Sequence, residues 1–224
     1  MRVSILAVAA LAAASAAIIP SAFPGIAWAQ KPPPKIVLPR PGFEEIGQER
    51  GVTVYQNDSA DLIWIAAIGR LPASPEQVQA ALLDYEHQVG RIGRVSEVNV
   101  LSREPGAVDV YERLNLPVIS DRDFTLRVTH GNEGARRWIA YWAVTDRGPK
   151  PRDGIVRVTR SRGVWDLAPV PGGKGTIVRY EMRIDLAGDV PLWMVRSGAG
   201  DEIPTLYSQI CKLAVGQAEQ ASCP

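Results

Sequence analysis

The chain is poor in the residues that build many catalytic and metal sites. It has two cysteines and two histidines in 224 residues. His87 and His130 stand at the ends of predicted elements. Neither has Asp, Glu or Cys neighbours at metal-ligand spacing, so no zinc or iron site is expected. There is no Gly-x-Ser-x-Gly nucleophile elbow. The stretch Pro171-Gly172-Gly173-Lys174-Gly175 lacks the Lys-Ser/Thr ending and following helix of a phosphate loop, and it reads as a hairpin turn. An excess of one charge is missing too. With 25 basic and 24 acidic residues the net charge is +1, which speaks against a nucleic-acid partner and against electrostatic adhesion to anionic membranes. No cofactor is implied. Beyond residue 42 there is no internal repeat or low-complexity segment, and beyond residue 29 no apolar run long enough to span a bilayer.

What is present divides unevenly. Residues 1–29 read as a signal peptide: Arg2, an alanine-rich apolar run over residues 5–19, and Ala27-Trp28-Ala29 as a small-x-small cleavage site before Gln30. Pro20 and Pro24 break the run, which argues against a retained anchor, so an exported protein, periplasmic or secreted, is expected. Residues 30–42, with Pro32-Pro33-Pro34 and Pro39-Arg40-Pro41, form a polyproline-like leader or spacer. The domain proper is placed at 43–218, long enough for a sizeable core, with a tail at 219–224. In an oxidising compartment Cys211 and Cys223 could pair; the alternative is a buried Cys211 and a free thiol in a frayed tail.

Periodicity then sorts the domain. Residues 51–57 and 61–69 read as a strand pair, divided at Asn57-Asp58-Ser59. Ser74-Pro75-Glu76-Gln77 carries a capping-box pattern with Pro in the first turn, and Val78, Leu82, Tyr85 and Val89 follow at helical spacing, predicting a helix over 75–89. Strands are predicted at 95–102, 108–114, 122–130, 137–145, 155–167 and 176–186, with turn signals close enough for antiparallel hairpins. After Gly188-Asp189-Val190-Pro191, with Asp189 a plausible N-cap, a long helix is expected to about Ala218. Its stripe is Leu192, Val195, Ala199, Ile203, Leu206, Ile210 and Leu213. Gly198, Gly200 and Pro204 predict a soft point or kink. The result is an α+β domain of helix-grip type, a strongly curved antiparallel sheet wrapped around a long C-terminal helix, with a smaller helix inserted.

The stretch 110–128 is the most informative. In the strand that opens on Arg122-Asp123-Phe124, alternation puts Arg122, Phe124, Leu126 and Val128 on one side. A fixed cation thus shares a face with three apolar side chains. With Asp121, these residues resemble the core motif of the StAR-related lipid-transfer (START) domains. Further pieces follow in the same order: Gly51 to Tyr55, Ala73 to Val78, Val110-Tyr111, Arg162 to Pro169, and Gly188 to Val195. The resemblance implies a tunnel between sheet and C-terminal helix that holds one lipid-like molecule, a sterol, phospholipid or similar. Some sterol-binding relatives carry an acid and an arginine in that cavity. Glu112 matches the acid, but Val128 stands where the arginine would be, and Arg122 could substitute.

Leu82, Phe124, Trp165, Tyr180, Met182, Ile184, Val195, Ala199 and Leu206 lie on the inferred inner faces and are expected to line the tunnel. Glu112 and Arg122 either form a buried pair that anchors the ligand's polar end or reach solvent at strand ends. Motion of the C-terminal helix, the loop at 146–153, or both, is expected to admit ligand. Arg160 and Arg162 are open to two readings, a solvated sheet face or a site for an anionic headgroup. The expected protein is a monomeric, non-catalytic carrier of a hydrophobic small molecule, with transient membrane contact left open. Two alternatives stand beside it: a polyketide cyclase/aromatase-like enzyme using the same cavity, and an interaction module whose cavity is closed.

Overall fold

The computed structural model describes residues 31–57, 62–116, 119–188, 190, 192–216, 220 and 222–224, and of residues 192–197 the backbone only. The signal-peptide segment and the Asp189 cap fall outside these residues.

The described elements are β1 (Glu44–Glu49), β2 (Val52–Asn57), β3 (Ile63–Leu71), α1 (Pro75–Leu83), β4 (Val95–Glu104), β5 (Ala107–Leu114), β6 (Arg122–Glu133), β7 (Arg136–Ala143), β8 (Val156–Arg157), β9 (Ser161–Pro169), β10 (Thr176–Ile184) and α2 (Leu192–Ala214). They form one sheet in the order β1-β2-β3-β10-β9-β7-β6-β5-β4, and β8 lies parallel to the start of β6. The other ladders are antiparallel, as the short turns require for hairpins such as β4–β5, β6–β7 and β9–β10. With α2 packed on β1, β2, β3 and α1, this is the helix-grip α+β arrangement.

Local chemistry explains the elements. Ser74 caps α1 by accepting from the Gln77 N–H, and the Gln77 side chain returns the favour at the Ser74 N–H, with Pro75 at the first helical position. The helix stops at Leu83, short of the predicted 89. Gln88 folds back to donate to the Leu82 carbonyl at 3.0 Å, and Tyr85–His87 form a separate 3-10 turn. The predicted strand 155–167 is two pieces. β7 pairs β6 only from Leu126 onward, so the front of β6 is free to take β8 before the chain crosses to β9. β1 was not expected, because its residues are mostly exposed and carry no alternation.

The core lies between the inner sheet face and the helices. Val52, Val54, Ile65, Val110, Leu167 and Val178 meet Ile203, Tyr207 and Ile210 of α2, all deeply buried. Each such side chain contributes about 1.5–3 kcal/mol on burial. Tyr207 rests on Gly69, where an added Cβ would lie 3.0 Å from its ring, and it donates to the Val178 carbonyl at 3.3 Å. Pro204 is accommodated within a continuous α2. Gly200 packs against β1, 3.5 Å from where a Cβ on Gly47 would stand, so here small residues permit close approach. Cys211 and Cys223 are bonded, with Cα atoms 5.7 Å apart, which returns the tail to the helix. Among the described residues no helix is long and apolar enough to cross a membrane.

Candidate functional site

Strand alternation and register decide what faces the helices. Glu112 is opposite Phe124, Val128 opposite Tyr141, Ile139 opposite Trp165, and Trp165 opposite Tyr180. These side chains point toward α1 and α2, and all of them but Val128 bound a cavity of about 310 Å³. Of the residues expected there, Leu82, Glu112, Phe124, Trp165, Tyr180, Met182, Ile184 and Leu206 line it. Ala199 is buried but packs into the core beside it. The Val195 side chain lies outside the description. Tyr85, Leu126, Ile139 and Tyr141 also line the cavity and were not expected. The signal was available: Tyr85 is three residues after Leu82, and Ile139 and Tyr141 share one face of β7.

The lining is mostly apolar; its polar members are Glu112, the phenols of Tyr85, Tyr141 and Tyr180, and Gln88, Arg94 and Ser161. Glu112 is 8% exposed, and its carboxyl makes no hydrogen bond or ion pair with any described residue. Burial alone pushes its carboxyl up to about 7. Around it stand three phenols. The Tyr141 and Tyr180 hydroxyls are 2.8 Å apart, and Tyr180 also donates to the Met182 sulfur at 3.2 Å. Tyr180 stacks on Trp165 with ring centroids 3.9 Å apart. Burial raises the phenol pKa of Tyr85, Tyr141 and Tyr180, that of Tyr180 to about 12, and the nearby Glu112 charge adds to each. At neutral pH the site therefore offers neutral phenols and one carboxyl poised between its two protonation states.

The expected Glu112–Arg122 pair does not form. Arg122 is buried at the sheet end, and its guanidinium donates to backbone carbonyls instead: Leu186 and Ala187, each at 3.1 Å, and Ser120. Burial lowers its pKa. Three carbonyls of connecting segments match the fork of an arginine better than a single carboxylate deeper on the neighbouring strand. Arg122 thus fastens the link between β10 and α2 to the front of β6.

The 146–153 loop is not at this cavity either. It lies on the opposite, outer face, drawn there by ion pairs. Arg147 binds Asp109, Arg152 binds Glu97 at 2.7 Å, and the Pro149 carbonyl accepts from Arg157 at 3.1 Å. The segment that does border the cavity is 88–95. Its Gly93 N–H donates to Gln209 of α2 at 2.7 Å, and Arg94 pairs with Glu202 of α2 at 2.5 Å. Among the described residues no group of three or more His, Cys, Asp or Glu is arranged to hold a metal ion.

No family model and no curated protein matches the sequence. Solved structures do match the fold. Human STARD10 is 20% identical with a TM-score of 0.69, over 81% of this chain and 76% of that one. A STAR-related lipid transfer protein from Xanthomonas axonopodis is 24% identical with a TM-score of 0.66, over 75% of this chain and 98% of that one. Human StAR-related lipid transfer protein 5 is 19% identical with a TM-score of 0.69, over 78% and 86%. The chain has the START fold.

Proposed function

We propose that this protein binds a lipid-like hydrophobic molecule in the inner cavity and carries it without chemical change. The observation that carries the reading is an apolar hollow holding one unpartnered carboxyl. A buried acid with no protein partner is costly, and a ligand hydroxyl, carbonyl or amine would satisfy it. The START fold of proteins named for lipid transfer supports the same reading. The volume of about 310 Å³ stands at the lower end of the usual ligand-pocket range of about 300–1,000 Å³. A compact ligand fits it as it stands, and a diacyl lipid requires the 88–95 segment to part from α2. The reading includes export, with residues 1–29 removed; the mass of protein from a native host should begin near Gln30.

The test is mass spectrometry of lipid extracts equilibrated with the protein, with Ile139→Trp as a variant that fills the hollow. One retained hydrophobic ligand per chain, lost in a folded Ile139→Trp, supports the carrier. Failure of every lipid fraction to bind the folded wild type would end it. A second reading rests on Glu112 alone, since a carboxyl with a pKa of about 7 is suited to proton transfer at neutral pH. A ligand recovered altered by wild type and unaltered by Glu112→Gln would move the protein to the enzymes.

A further inference from the structure

The outer face carries a second concavity that the carrier reading does not use. It has a volume of about 490 Å³, and the leader residues Pro34, Lys35, Ile36 and Arg40 form one wall. Its floor includes Trp142, Arg162 and Arg183, three members of a row of residues directly opposite one another across four strands, with Trp64 beyond the groove's edge. Trp142 of β7 is opposite Arg162 of β9, Arg162 opposite Arg183 of β10, and Arg183 opposite Trp64 of β3.

The charges in this row are not balanced. The Arg162 side chain makes no hydrogen bond or ion pair with a described residue. Arg183 lies 3.3 Å over the Trp64 ring, and Arg40 is 5.2 Å from the same ring. Among the described residues Glu181 is the only carboxylate lining the groove. It is engaged by Arg40 at 2.9 Å and the Trp64 indole N–H at 2.8 Å, and reaches Arg183 only at 4.0 Å. Four cations, Lys35, Arg40, Arg162 and Arg183, therefore share one carboxylate. Elsewhere on this face Arg127, Arg136 and Arg157 each have a buried carboxylate partner. Two arginines directly opposite across antiparallel strands repel, and burial together with Arg162 lowers the pKa of Arg183.

We propose that the Trp142–Arg162–Arg183–Trp64 row is a site for a phosphate group, held between the two guanidinium groups with its organic part against Trp142. A planar guanidinium matches phosphate oxygens two at a time, and the half-exposed Trp142 gives an apolar lip at the groove. The phosphate could belong to a soluble phosphorylated compound or to a lipid headgroup. The site shares Tyr141 and Met182 with the inner cavity as lining but does not rest on that cavity's function.

The experiment uses the full mature chain, wild type and Arg162→Gln. Two probes are titrated, inorganic phosphate with glycerol 3-phosphate by calorimetry, and vesicles of phosphatidylcholine with phosphatidylglycerol by sedimentation. Saturable binding of either probe, weakened about tenfold or more by Arg162→Gln while inner-cavity ligand binding is unchanged, supports the site. Which probe binds names the source. A melting comparison guards against a purely structural row. In anion-free, low-salt buffer Arg162→Gln should melt no lower than wild type, because it removes a repulsion. Failure of both probes to bind, equal binding by Arg162→Gln, or a lower melting temperature for Arg162→Gln would each overturn the proposal.

Discussion

The two faces of this sheet treat charge in opposite ways. On the outer face carboxylates and arginines are buried together. Asp123 is 1% exposed and receives Arg157 and the Tyr111 hydroxyl, and Asp166, 2% exposed, receives Arg136 and the Ile36 N–H. On the inner face Glu112 is buried alone among phenols and apolar rings. The pKa directions record the difference. Burial pushes Asp123 up, but the hydrogen bonds and charge of Arg157 and Tyr111 outweigh it and hold its pKa below the ordinary value of 3.8. Nothing offsets burial at Glu112, which rises from 4.5 to about 7. Around these matched pairs the outer face is built to stay shut, unlike the Arg162–Arg183 row beside them, and the inner face is left one partner short. A binding site and a structural face can be told apart by that deficit.

The largest expected effect comes from breaking an outer pair. Asp123→Ala leaves Arg157 and Tyr111 facing a void and should destabilise by about 3–5 kcal/mol in urea titration. A loss under 1 kcal/mol would mean the outer face is solvated after all. The sign with pH is that of a lowered acid: its contribution is present above pH 4 and is lost as pH falls through the folded value.

Glu112 should show the reverse sign. Because the folded state holds the proton more tightly, stability is lost as pH rises from 4.5 to about 7. At pH 8 the ionised, unpartnered group costs roughly 3 kcal/mol, so Glu112→Gln should stabilise the ligand-free protein by up to that amount there and by little at pH 4.5. Equal effects at both pH values would remove the contrast between the faces. Gly163→Ala tests the place where the faces meet. A Cβ there would collide with the Tyr141 hydroxyl, so a loss of about 1–3 kcal/mol and a smaller inner cavity are expected from melting and ligand titration. Ser74→Ala is the control, since it removes a helix cap and touches neither face. It should cost about 1 kcal/mol, with no pH dependence and no change in ligand affinity.

Sequence reasoning reached what is local. The capping box at Ser74, the strand faces around Phe124 and Tyr180, and the apolar stripe of α2 from Ala199 to Leu213 all rest on residue spacing, and the structure has them. Partners distant in sequence were beyond it. Nothing near Arg122 says that it will meet the Leu186 carbonyl, and nothing near Arg147 sends the 146–153 loop to Asp109. The proline-rich leader was read as a spacer from composition. Its Ile36 is buried and its N–H is spoken for by Asp166, 130 residues away. β1 escaped because an exposed edge strand has no buried face to write an alternation.

Gly163 has one more consequence. Tyr141 and Met182 border both hollows, and between them β9 contributes a residue with no side chain. At that point the wall between the cavity and the outer groove is a single layer of peptide. The Tyr141 ring sits in the dent, held from behind by backbone alone. An occupant of one hollow that shifts this backbone alters the room available in the other. Linkage then requires reciprocity: whatever factor the outer occupant applies to the inner affinity, the inner occupant applies equally to the outer.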